Sequence, residues 1–378
     1  MSNREVKLKT LLSTSIQNGY SPICPDEPNG VWILGLGALT DNGINTDGKK
    51  PAPLNDKTVE RFLLKHGDFL ISRSNTLDKV GRSILYRGEI ENCSYPDLMM
   101  KFRVDETKIY SEYLEFYLRS PKAIKYLQAS ASGTSSTMVK ITKTTVEKIP
   151  VWLPSYEIQV FISNVGKNMN QTIATTERLI EAKERYFKEI SKKLLSLQKS
   201  DNWNEVKLGT VCDISKGVQL SRSDMIENAI YPVLNGGIQA SGYTDEWNTD
   251  ANTITISEGG NSCGFVSYLT QNFWCGGHCY ALKQVQINQE YLYHYLKANE
   301  KAIMSLRVGS GLPNIQKKAL GNFHIRYPKD EVQQSKIAEI LNTAKREIDL
   351  LKKLVASYRV QKRGLMQKLL NGEWRVAG

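Results

Sequence analysis

Two stretches decide the fold: EIQVFISNVGKNMNQTIATTERLIEAKERYFKEISKKLLSLQK, residues 157–199, and EVQQSKIAEILNTAKREIDLLKKLVASYRVQKRGLMQKLL, residues 331–370. Neither contains proline and each holds a single glycine, so nothing breaks a helix in either. In the first, Ile162, Val165, Met169, Ile173, Thr176, Ile180, Lys183, Phe187, Ile190 and Leu194 step by threes and fours. In the second, Ile337, Ile340, Ala344, Ile348, Leu351, Val355, Tyr358, Lys362, Leu365 and Leu369 repeat those steps 175 residues later. This period predicts two helices of about 40 residues, each about 60 Å long at 1.5 Å per residue, with seams of the coiled-coil kind. Two equal seams in the same phase predict an antiparallel pair with the remaining sequence in globular parts at opposite ends.

The sequence outside these stretches is also duplicated. Glu5-Val6-Lys7-Leu8 returns as Glu205-Val206-Lys207-Leu208, and Glu112-Tyr113-Leu114 as Glu290-Tyr291-Leu292. Pro154 followed by Glu157-x-Gln159 returns as Pro328 followed by Glu331-x-Gln333. A period this long signals a doubled domain, not a solenoid. Short β-branched runs such as Phe69–Ser72, Ile84–Tyr86, Thr253–Ile256 and Phe265–Tyr268 read as strands, with a helix to follow near Tyr113 and near Tyr291. The expected fold class is therefore α+β: two pseudo-repeated α/β domains, residues 1–156 and 201–330. The long helices with their tails occupy 157–200 and 331–378.

The 378 residues carry 50 Lys+Arg against 39 Asp+Glu, a net charge of +11 that points to a polyanionic partner. By segment the nets are +4, +3, −1 and +5, so the excess sits on the helices and the first domain. The longest nearly apolar run, Val31–Leu39, is far shorter than the roughly 20 residues of a membrane span. The six cysteines are sparse and unevenly spaced, and no leader pattern opens the chain, so a reducing cytoplasm is expected.

Signatures of catalysis are missing. There is no phosphate-cradling G-x-x-x-x-G-K-[ST], no H-E-x-x-H, and no Pro-Pro of an adenine methyltransferase. Asp97, Glu106 and Lys108 fit a short PD…ExK nuclease pattern, in which carboxylates would hold Mg²⁺. The second copy has no such pair. Cys263, Cys275, His278 and Cys279 lie close in sequence, with Cys275/His278 and Cys275/Cys279 as the close pairs where zinc sites prefer a Cys-x2–4-Cys clasp, and buried strand cysteines are the expected account. No catalytic residue, metal or cofactor is therefore assigned.

What recurs is polar loops at matched places. Ser72-Arg73-Ser74-Asn75 with Lys79 and Arg82 matches Ser257-Glu258-Gly259-Gly260-Asn261. Thr134 and Ser135, leading to Lys140 and Lys143, match Ser310, leading to Asn314, Gln316, Lys317 and Lys318. Asn235 sits in a further glycine-bearing loop. Lysines and backbone N–H groups suit phosphates, and Arg, Asn and Gln suit base edges, so these are candidate DNA contacts.

The order of these features resembles the DNA-specificity subunit of type I restriction–modification systems. The resemblance rests on Gly67–Arg73 with Val80-Gly81-Arg82, Tyr231-Pro232-Val233 with Asn235-Gly236-Gly237, Gly309–Ile315, and the Pro-bearing exits at Pro154 and Pro328. It implies two target-recognition domains, each reading half of a bipartite double-stranded DNA site, with the helices setting the spacing. It also implies docking of two methyltransferase subunits, which would carry S-adenosylmethionine, and of motor-nuclease subunits. A scaffold binding only protein is the remaining alternative to a recognition subunit or a nuclease.

Overall fold

The computed structural model describes residues 4–41, 43–133, 138–196, 202–309, 311 and 313–374. The chain divides into two units: residues 1–175 with 355–378, and residues 176–354. Both long helices form as expected, Tyr156–Leu195 and Glu331–Leu370, and each contributes one part to either unit.

The duplication is visible strand by strand. Unit 1 has a four-stranded antiparallel sheet in the order Gln17–Asn18, Met99–Phe102, Phe69–Ser72, Ser83–Leu85. Unit 2 repeats it as Asp213–Lys216, Cys279–Lys283, Thr253–Ser257, Val266–Leu269. Beside it, Trp32–Leu34 lies between Cys93–Ser94, parallel, and Lys49–Pro51, antiparallel. Tyr231–Leu234 repeats this between Trp274–Cys275 and Gly242–Thr244. A two-stranded ladder closes each unit: Arg4–Lys7 with Pro150–Leu153, and Trp203–Lys207 with His324–Pro328.

Each main core gathers sheet, short helix and long helices. In unit 1, Phe69, Ile71, Phe102, Tyr113, Leu114 and Tyr117 pack with Ile162, Met366, Leu369 and Leu370. In unit 2, Ile254, Ile256, Tyr280, Tyr291 and Leu292 pack with Leu195, Ile337, Ala338 and Leu341. The tyrosines explain their recurrence in the sequence: Tyr113 donates to Trp152 O and Tyr291 to Arg326 O, so a large apolar side chain is buried with its hydroxyl satisfied.

Within unit 2 the helices run antiparallel, since Lys183 pairs with Glu347 at 2.8 Å while Leu195, further along the first helix, shares a core with Ile337 and Leu341, earlier on the second. The apolar stripe serves two surfaces. Ile180 and Ile348 are buried along the seam, but Ile340 is 44% exposed while Ala338 and Leu341 enter the unit 2 core. Near its start the second helix therefore turns a neighbouring face inward, against its own sheet.

One matched residue shifts by a position. Gln159 accepts from Tyr110 N and donates to Pro154 O, at 2.8 and 2.9 Å. Its counterpart is Gln334, which accepts from Asn288 N and donates to Pro328 O, both at 2.8 Å. Gln333, the residue matched in sequence, is exposed. The second copy has one more residue between proline and glutamine, so the true match is offset by 175, as along the rest of the helices.

Candidate nucleic-acid interface

In unit 1 the strand Phe69–Ser72 turns back through residues 73–82. Gly81 N donates to Ser72 O and Ser72 N to Arg82 O, both at 2.8 Å. Gly81 has φ +78°, and a Cβ there would lie 2.7 Å from Leu127 Cδ1, so this closure needs glycine. Beyond it, Ser74–Asn75 pairs antiparallel with Val139–Lys140, and Ile141 N donates to Arg73 O at 2.9 Å. The structure thus joins two loops proposed separately from sequence.

Arg73 is half-buried, with Nη1 donating to Asp97 O at 3.2 Å. Lys79, Lys140 and Lys143 are exposed. Asn75 is half-buried and caps Thr76 N. Ser74 is fully buried and faces inward. Arg82 is held by Leu39 O at 3.2 Å and by Asp41 at 3.1 Å. Thr134, Ser135 and Ser310 lie outside the described residues.

Unit 2 builds the same frame. Gly264 N donates to Ser257 O at 2.8 Å and Ser257 N to Phe265 O at 2.9 Å, while Ile315 N donates to Glu258 O at 2.8 Å. Gly260 N reaches Pro313 O at 3.0 Å, which ties the loop bearing Asn261 to the one bearing Asn314. The Asn235 loop joins them: Ser257 and Ser262 hydroxyls donate to Gly236 O, and His278 N donates to Asn235 Oδ1 at 3.3 Å. Asn261, Asn314, Gln316, Lys317 and Lys318 are exposed around this cluster.

Sequence reasoning did not name Lys216, and it considered His278 only beside the cysteines, not as part of this interface. Lys216 Nζ lies 2.8 Å from Glu258 Oε1, and His278 Nδ1 lies 3.9 Å from Oε2. The Tyr280 hydroxyl sits 3.0 Å from the same Oε1; burial first and then this bond push its pKa up to about 12, so at neutral pH it remains a donor. No motif marks Lys216, which ends a strand whose partner becomes evident only in three dimensions.

The nuclease residues are each committed elsewhere. Asp97 accepts from Ser21 Oγ at 2.6 Å, Glu106 caps the helix Ser111–Leu118 through Ser111 N and Oγ, and Lys108 pairs with Asp105 at 3.0 Å. Hydrogen bonds from Thr107 and Lys108 draw the Asp105 carboxyl down to about 2. The Cys263 thiol donates to Glu258 O and that of Cys275 to Cys279 O. Among the described residues, no three His, Cys, Asp or Glu side chains gather as a metal site.

Residues 200–357 match the type I restriction modification DNA specificity domain. The chain as a whole has the fold of a type I restriction–modification S subunit from M. genitalium, with a TM-score of 0.67 at 19% identity over 98% of this chain and 96% of that one. By sequence, 164 residues are 34% identical to a protein named as a type I specificity subunit in Mycoplasma pneumoniae, covering 43% of this chain and 44% of that one. The alignment thus spans less than half the length of that relative. A Methanocaldococcus jannaschii protein named as the MjaX specificity subunit aligns at 25% identity over 98% of this chain and 93% of its own.

Proposed function

We propose that the chain is the non-catalytic DNA-specificity subunit of a type I restriction–modification complex, each unit reading one half of a bipartite double-stranded site. The observation that carries this reading is one loop frame built twice with different side chains. Arg73, Ser74, Asn75, Lys79, Arg82, Thr134, Ser135, Lys140 and Lys143 furnish the first reader. Asn235, Asn261, Ser310, Asn314, Gln316, Lys317 and Lys318 furnish the second. Exposed lysines hold phosphates, Arg presents paired donors to base edges, and Asn and Gln present a donor beside an acceptor. Arg82, tied to Asp41, and the inward-facing Ser74 support the loop from behind.

The long helices fix the distance between half-sites and dock two methyltransferase subunits, on which S-adenosylmethionine would bind. Motor-nuclease subunits complete a restricting complex in the cytoplasm. Mapping methylated adenines genome-wide in cells with and without the gene tests this. The expected result is one bipartite site whose methylation disappears with the gene. An unchanged map would refute the reading, and Mg²⁺-dependent DNA cutting by the purified chain, abolished by Asp97→Ala, would favour a nuclease.

A further inference from the structure

The two units carry a cation at different points of the same frame. Arg73 and Glu258 are equivalent, because each carbonyl accepts from the matched Ile141 or Ile315 N–H. Asn18 and Lys216 are equivalent too: they lie opposite Met100 and Tyr280 on matched strands. Each precedes a glycine that donates to the partner strand, Gly19 N to Met99 O at 3.0 Å and Gly217 N to Cys279 O at 2.9 Å. At both glycines a Cβ would stand 2.3 Å from a carbonyl oxygen, so the close approach is conserved between the copies. Unit 1 therefore has Asn18 with Arg73, and unit 2 has Lys216 with Glu258. The cation has moved from the loop to the neighbouring strand, and a carboxylate has taken its place.

The unit 2 pair is asymmetric in exposure. The Glu258 side chain is 12% exposed and that of Lys216 53%. Glu258 Oε1 takes both Lys216 and the Tyr280 hydroxyl, which fixes the carboxylate beneath the ammonium. An ammonium has three donors, and one contact to Glu258 leaves others for a ligand. The formal charges of the pair cancel. Phosphate binding draws on net charge through counterion release, whereas base-edge contacts draw on a donor held in place. A neutralised, fixed donor suits the second task.

We propose that Lys216 is a specificity-determining residue of unit 2, donating to a base-edge acceptor of the guanine O6/N7 or thymine O4 type, with Glu258 as its positioning residue. This rests on the DNA-reading function proposed above. It also accounts for sequence selectivity in a segment, residues 201–330, whose net charge is −1.

The test uses the chain assembled with its methyltransferase subunits and a DNA library randomised in both half-sites, with salt titrations. Lys216→Met is expected to relax preference at one base pair of one half-site by about tenfold, the scale of one good base contact. The other half-site stays unchanged. Glu258→Gln leaves the ammonium charge uncompensated: the same base pair loses discrimination, and the slope steepens by about 0.9, as for one added phosphate contact. Lys216→Arg retains part of the preference. Uniform weakening across sequences with a slope shallower by about 0.9 would make Lys216 a phosphate contact and overturn the inference, as would an unchanged motif. Absence of any half-site preference in the wild-type complex would instead refute the DNA-reading function itself.

Discussion

Replacing Gln334 by alanine tests the anchoring of the second long helix. Gln334 is 1% exposed, and its amide joins the start of the short helix, through Asn288 N, to the closing ladder, through Pro328 O. Truncation leaves the half-buried Asn288 N–H and the buried Pro328 carbonyl without this partner, each at up to about 1–3 kcal/mol. Relaxation and water entry recover part of this, giving an expected loss of about 2–4 kcal/mol. For a unit of this size, about 2–4 °C accompanies each kcal/mol, so the melting transition of unit 2 should fall by roughly 5–15 °C. The neighbouring Gln333→Ala removes only an exposed side chain and should stay within about 0.5 kcal/mol. Calorimetry of both variants decides the matter. Equal effects, or a larger loss at Gln333, would refute the one-residue shift between the copies.

Further outcomes follow from single contacts. Gly264→Ala should destabilise unit 2 by about 2–3 kcal/mol in denaturant melts, because φ is +90° and the new Cβ would stand 2.9 Å from the Met304 backbone. Burial holds the His294 pKa below its ordinary 6.5 against the opposing bond to Asn342, so the native state favours the neutral ring. Stability is then fully present above pH 6.5 and falls as the pH drops below it, where the unfolded chain binds the proton more readily. His294→Phe, the residue at the matched position 116, should show a smaller loss of melting temperature between pH 7.5 and 5.5 than wild type. Four residues inserted in both long helices, near Thr176 and Val355, add about 6 Å, equivalent to one to two base pairs at about 3.4 Å per step. Methylation mapping should show the spacer lengthened by that amount with both half-site sequences intact.

The long helices were legible because a seam and the absence of proline act locally. The duplication was legible because buried tyrosines and proline exits recur. The one-residue shift at Gln334 was not, since two adjacent glutamines are interchangeable until one is seen beneath the Asn288 amide. Ile340 was misplaced for a related reason: heptad spacing defines one stripe, while Ala338 and Leu341 show that the globular part claims another. Among candidate contacts, exposed lysines followed from loop composition, but the inward turn of Ser74 depends on pairing with residues 139–140. Lys216 was hidden altogether. Its significance comes from Glu258, 42 positions away, and from a strand match that no shared motif announces.

The proposed function requires that the two units read two half-sites independently. Replacing residues 203–328 with a second copy of residues 4–154, then mapping methylated sites in cells, tests it most directly. The account predicts a site in which the half read by unit 1 appears twice and the other half vanishes. A site that retains both original halves would contradict it.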